Sequence, residues 1–188
     1  MRLRKFIFLF LTSILVQNNY ASDSYRIQVS QPQGQEYNLK AAFLYRFLDY
    51  VEWTNNSSWN SNSEDPLRIA ILGDSALYGP LSEISRDKRA GTRAIRIRQI
   101  SSVTEIGASQ VVFVSRNYKY GIDAVLSRMI DRPALIVSEQ KGDVEKGSHI
   151  NFLISDNKLK FEVNLKTASR SGIKIGSQLL QHAAVIKK

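Results

Sequence analysis

The chain of 188 residues has no cysteine, two histidines and four prolines. Without cysteine it has no disulfides, no thiol nucleophile and no thiolate metal site. The two histidines, His149 and His182, lie more than thirty residues apart with no cluster of carboxylates near them, so metal-ligand spacing is missing and no metal is expected. The apolar run Phe6 to Val16 has eleven residues and includes Thr12 and Ser13, short of the ~20 that a membrane span needs. After the first expected core strand the sequence reads GDSALYGP, which matches neither glycine-rich phosphate loop, so no nucleotide cofactor is expected.

What is present points to an exported α/β domain. Apolar residues at 43% and charged residues at 23% exclude disordered, collagenous and multi-span membrane classes. A net charge of +9, from 26 basic and 17 acidic residues, suggests an acidic partner such as nucleic acid or an anionic membrane surface. Arg2, Arg4 and Lys5 before the apolar run, with Ala21-Ser22 after it, have the layout of a secretory signal peptide over residues 1–21; the other reading is a retained anchor helix. No cysteine follows the run, so no lipid anchor is expected. Cleavage removes three positive charges and leaves +6, and an exported chain rarely meets nucleic acid. The expected location is outside the cytoplasm, with no nucleic-acid partner.

Residues 22–36 are polar, contain Pro32 and Gly34, and read as an extended lead-in to a domain over 37–188. Leu39, Phe43, Leu44, Phe47, Leu48 and Val51 recur at helical spacing, predicting an amphipathic helix from Tyr37 to Trp53. Lys40 falls inside its apolar arc. Either its methylenes pack while the ammonium reaches water at the first turn, which is the favoured reading, or it is a buried functional lysine. Asn55 to Pro66 reads as a loop.

The runs LRIAIL (67–72), QVVFVS (110–115) and PALIVS (133–138) predict buried strands, and Ala94 to Ile100 alternates as a half-exposed one. Helices are expected at Leu77 to Ile84, interrupted by Gly79-Pro80, and at Tyr120 to Ile130. His149 to Ile154 and Leu159 to Leu165 predict a hairpin with a four-residue connection, and Gly176 to Ile186 a last helix. The expected fold is a Rossmann-like α/β sandwich, its mostly parallel sheet ending in a C-terminal antiparallel hairpin and helix.

Gly73-Asp74-Ser75 invites a secreted GDSL-like esterase with Ser75 as nucleophile, but neither histidine follows an aspartate at the usual spacing. The plainer reading makes Asp74-Ser75 a helix N-cap. Six basic residues between Arg86 and Arg98 form either a patch for an acidic partner or lipid headgroups, or the charged guard of an edge strand, which is the favoured reading. In FEVNLKTASRSGIK (161–174), Glu162 and Asn164 share one strand face opposite Phe161, Val163 and Leu165, and Arg170 and Lys174 follow. This is either a polar recognition surface or a solvated hairpin face.

YNLKAAFLYRFLDYVEW, LRIAILG, PALIVS, INFLI and above all FEVNLKTASRSGIKI followed by LLQHA resemble, in this order, the YfiR/HmsC family of periplasmic regulators, over about Tyr37 to Val185. The resemblance implies a dimeric, non-catalytic periplasmic protein without cofactor. It implies binding to the periplasmic sensory domain of an inner-membrane diguanylate cyclase, which holds cyclic di-GMP, exopolysaccharide and biofilm low. It also leaves open a small-molecule receptor serving another signalling protein. By match to the family's C-terminal block, Glu162, Arg170 and Lys174 are the candidate partner-binding residues. The family often has asparagine at Arg46, proline at Thr54 and cysteine pairs that are absent here, so no disulfide switch operates. Ser138-Glu139 and Gly147-Ser148 replace its usual Asp-Gly and Gly-Gly signals.

Overall fold

The computed structural model describes residues 32–54, 64–130 and 132–188; the expected leader, most of the lead-in and most of the loop after Thr54 lie outside them. In chain order the elements are α1 (Pro32–Phe47), β1 (Val51–Trp53), β2 (Leu67–Leu72), α2 (Tyr78–Asp87), β3 (Ile95–Ile100), β4 (Val111–Val114), α3 (Gly121–Arg128) and β5 (Leu135–Ser138). There follow α4 (Asp143–Lys146), β6 (Ile150–Ser155), β7 (Lys158–Asn164), α5 (Leu165–Arg170), β8 (Ile173–Ile175), α6 (Ser177–Leu180) and β9 (Val185–Lys187).

β2, β4 and β5 are buried along nearly their whole length, as their continuous apolar sequences require of strands covered on both faces. The main sheet runs β3-β2-β4-β5-β6-β7-β9. β2 to β6 pair in parallel, β7 turns antiparallel against β6, and β9 lies parallel to β7. The first five strands thus have a doubly wound order, in which the chain reverses direction across the sheet between β2 and β4. One face packs on α1 and α2 through Leu44, Phe47, Leu77 and Leu81, and the other on α3 through Ile122, Val125 and Met129. Phe43 and Phe47 of α1 meet Phe152 and Phe161 of the hairpin with ring centroids 5.0–6.4 Å apart, which seats α1 over β6 and β7.

The expected α/β sandwich and its hairpin are present, and the departures are local. α1 begins at Pro32, inside the expected lead-in, and stops at Phe47. Val51–Trp53 leaves the helix to pair antiparallel with β8, giving a separate two-stranded sheet. Gly79-Pro80 opens α2 rather than interrupting it, since in a first turn the missing proline N–H has no intrahelical acceptor to lose. Asp156 and Asn157, at φ +54° and +57°, make the hairpin loop two residues long, with the left-handed pair that matches strand twist. The last helix is one turn, and the chain beyond it joins the sheet as β9. β3 stands at the sheet edge with Arg96 and Arg98 exposed, so these charges guard an outer edge that has no strand beside it among the described residues.

At the β2/β4 crevice, Ser115 Oγ and Asn117 Nδ2 both donate to the Asp74 carbonyl, at 2.6 and 3.2 Å, stitching the two strand ends together. Gly73 makes the turn there at φ +88°, where a Cβ would come within 3.1 Å of Tyr118 Cβ.

Phe47 is wholly buried whereas Leu39, on the same helix, is half exposed. Phe47→Ala should lower the unfolding free energy by about 3–5 kcal/mol and Leu39→Ala by under about 0.5 kcal/mol, as read by urea denaturation. Equal losses would show that α1 is not seated by this face.

Candidate functional site

Lys40 sits in the apolar arc of α1, and the structure buries it: the side chain is 1% exposed. Its ammonium does not reach water, contrary to the favoured sequence reading, because acids meet it inside. Nζ donates to Glu36, one helical turn back, and to Glu139, whose side chain is fully enclosed. Glu139 follows the end of β5 and Arg116 follows the end of β4, so parallel strands deliver both to one edge. The Arg116 guanidinium bonds Glu36 at 2.6 Å and Glu139 at 3.2 Å. The Tyr37 hydroxyl and the Arg116 backbone N–H each donate to Glu139 Oε1 at 3.1 Å, and Lys40 Nζ stands 4.6 Å from the Tyr37 ring centre.

Two cations and two carboxylates therefore close into one network, which is how buried charge is tolerated. Burial and the neighbouring Glu139 charge push the Tyr37 hydroxyl up to about 12, so it stays a donor. Burial acts against the Glu36 carboxylate, but Lys40 and Arg116 outweigh it and hold Glu36 below the usual range.

Lys40, Arg116 and Glu139 of this network form the floor of a cavity of about 670 Å³ at the carboxyl edge of the sheet, the edge at which doubly wound folds bind ligands. Phe152, Leu153 and Ile154 of β6 give it an apolar wall, and Lys141, Glu145 and Glu162 bring charge. Glu162 is aimed by a relay across three strands: Ser138 Oγ donates to Asn151 Oδ1 at 2.9 Å, and Asn151 Nδ2 donates to Glu162 Oε2 at 3.2 Å. The cavity combines a charge-paired floor, an apolar wall and the Glu162 carboxylate, suited to receiving a polar or charged group that carries apolar bulk.

The three residues singled out in the sequence do not share one site. Glu162 lines this cavity, while Arg170 closes α5 and lines a second one. Lys174 lies on β8 and pairs at 2.9 Å with Glu52 of β1, both about two-thirds exposed, so the pair adds little stability. Asn164 is structural: Oδ1 caps α5 at Thr167 N, and Nδ2 holds the Val144 carbonyl.

Ser75 is nearly buried, and its Oγ accepts from Leu77 N in the turn before α2, so it caps that turn and not the helix itself. His149, 1% exposed, accepts from Ile136 N–H at Nδ1 and meets Ser171 Oγ at Nε2, both at 3.1 Å. Both ring nitrogens are engaged away from Ser75, and His182 is exposed beyond α6. Among the described residues no group of histidines and acids could hold a metal, and no helix is long and apolar enough to cross a membrane.

Glu36, Tyr37, Arg116 and Glu139 were missed in the sequence. The available signal was a lysine in an apolar arc, which demands a counter-charge, together with charged residues just after the ends of two parallel strands.

A family model described as YfiR/HmsC-like matches residues 37–184 of the chain. No curated protein matches it. Among solved structures, a conserved domain protein from Vibrio cholerae O1 biovar eltor is similar at a TM-score of 0.51 and 13% identity, over 80% of this chain and 60% of that one. The ABC domain in complex with L-Trp from Streptococcus pneumonia gives 0.48 and 14%, over 63% of this chain and 54% of that one. The chain thus spans little more than half the length of these two, and the first of them shows a shared α/β fold alone.

Lys40→Met takes from the enclosed Glu139 one of its two cations and should lower stability by about 3 kcal/mol, whereas adding Glu139→Gln should recover much of that loss. A single-variant loss below about 1 kcal/mol in urea unfolding would remove the network as an anchor of α1. Burial pushes the His149 imidazole down from 6.5 to about 4. Between these values the unfolded chain takes up a proton that the folded one refuses, so this stability is present above pH 6.5 and lost as pH falls through the window. Between pH 7 and 5 the native chain should lose on the order of 2 kcal/mol more than His149→Gln. Parallel pH profiles for the two proteins would contradict this.

Proposed function

The chain belongs to the YfiR/HmsC-like family, a family of periplasmic regulators, and on that premise we propose that it is exported by its N-terminal segment and represses an inner-membrane diguanylate cyclase. It does so, as a homodimer and without catalysis of its own, by docking on the cyclase's periplasmic sensory domain. The observation that carries this reading is the family match across residues 37–184, nearly the whole described domain.

The structure supports a particular docking surface for such a partner. Of the three residues singled out in the sequence, Glu162 has the surroundings of a contact: half-buried, oriented by Asn151, on the wall of an open cavity. A basic or amide side chain of the partner, inserted beside Phe152, would meet it. Arg170 and Lys174 stand on other surfaces and contribute, in this proposal, at the periphery. The esterase reading through Ser75 draws no support from the geometry, since Ser75 serves the turn before α2.

Deleting the gene should raise cyclic di-GMP and biofilm, and the native chain should restore both. Glu162→Lys should fold with an unchanged melting temperature and fail to restore them. Unchanged cyclic di-GMP in the deletion strain would defeat the cyclase assignment, and full restoration by Glu162→Lys would defeat this surface. Capture of a diguanylate cyclase from solubilised inner membrane by the native chain but not by the variant would support both.

A further inference from the structure

We infer that a second cavity, between the end of α3 and the ends of α4 and α5, is a binding site for an organic carboxylate that carries an apolar group. It measures about 490 Å³, within the ~300–1,000 Å³ usual for small-molecule sites. One wall, from α3 and the chain after it, is apolar: Leu126, Ile130 and Pro133. Ile130 is 69% exposed, a large apolar side chain left to solvent beside a cavity. The opposite wall, from the ends of α4 and α5, carries Lys146, Arg170 and Ser171, and among the described residues none of the lining is acidic.

Each polar group on that wall has capacity to spare. Among the described residues Arg170 has no carboxylate within ion-pair distance, so its planar fork of donors is available for a carboxylate. Among the described residues the ion pair of Lys146 is with Asp123, at 3.6 Å and with both side chains well exposed, a pairing that a ligand can outcompete.

Ser171 is prepared by the buried histidine. Because Ile136 N–H occupies His149 Nδ1, the ring proton is on Nε2 and is donated to Ser171 Oγ. The serine's own hydroxyl proton is then left for an acceptor in the cavity, and the chain of donors from Ile136 through His149 polarises it. Two cations and a directed hydroxyl facing an apolar wall select an anion and a hydrocarbon in the same molecule. The site is separate from the Glu162 cavity and stands whether or not the partner is a cyclase.

Calorimetric titration of the mature full-length chain with sodium octanoate, alongside amide ¹H–¹⁵N spectra, tests this. Saturable one-to-one binding is expected, with shifts at Gly147 and Ser171. Arg170→Gln should weaken it at least tenfold and Ser171→Ala several-fold, while Glu162→Gln leaves it unchanged. The spectra of Arg170→Gln, an exposed position, report that the variant is folded. Octanol, which lacks the anion, and inorganic phosphate, which lacks the hydrocarbon, should each bind at least tenfold more weakly than octanoate. Absence of saturable octanoate binding, equal affinity in Arg170→Gln, or either control binding as tightly as octanoate would overturn the inference.

Discussion

The burial of one ammonium constrains this molecule more than any other contact. Lys40 cannot be enclosed without acids beside it, and the acid that meets it from across the fold, Glu139, is fully enclosed in turn. That pairing fixes the rotation of α1 about its axis and its height above the sheet, because Lys40 must lie over the end of β5 while Phe47 reaches the hairpin phenylalanines. Arg116 and Tyr37 complete the donor set, so the end of β4 is tied to the same point. The cavity above exists because these groups bond to one another and leave the space over β6 unfilled.

Its position departs from the usual use of a doubly wound sheet. Such folds bind ligands where the strand order reverses, between β2 and β4 here. In this chain Ser115 and Asn117 lace that crevice to the Asp74 carbonyl. A cavity of about 490 Å³ remains beside it, and the larger one, about 670 Å³, lies further along the sheet, where the parallel strands give way to the antiparallel hairpin and Glu162 can face it from β7. A change in strand direction, rather than in strand order, makes the concavity.

What could be read in the sequence follows from how local each determinant is. LRIAIL, QVVFVS and PALIVS announce buried strands because a strand covered on both faces writes its environment into every residue. The hairpin was legible by alternation, and its two-residue loop less so because Asp156-Asn157 lacks the glycine that usually marks a left-handed pair. β1 and β9 were hidden inside expected helices. VEW and VIK are three residues each, too short for periodicity, and are strands only because β8 and β7 lie beside them. Glu162 was legible as a polar residue on an alternating strand. Glu139, Arg116 and Glu36 were not, since their meeting is a property of the assembled sheet.

The two-stranded sheet of β1 and β8 joins segments far apart in the chain, with Glu52 meeting Lys174 across a separation of 122 residues. Closing so long a loop draws on chain entropy before any contact repays it, and domains dominated by such distant pairings fold slowly. The clasp cannot form until nearly all of the domain is available to it. Such a clasp therefore works as a late lock: breaking it would free both ends of the domain while leaving the parallel strands paired with their own neighbours.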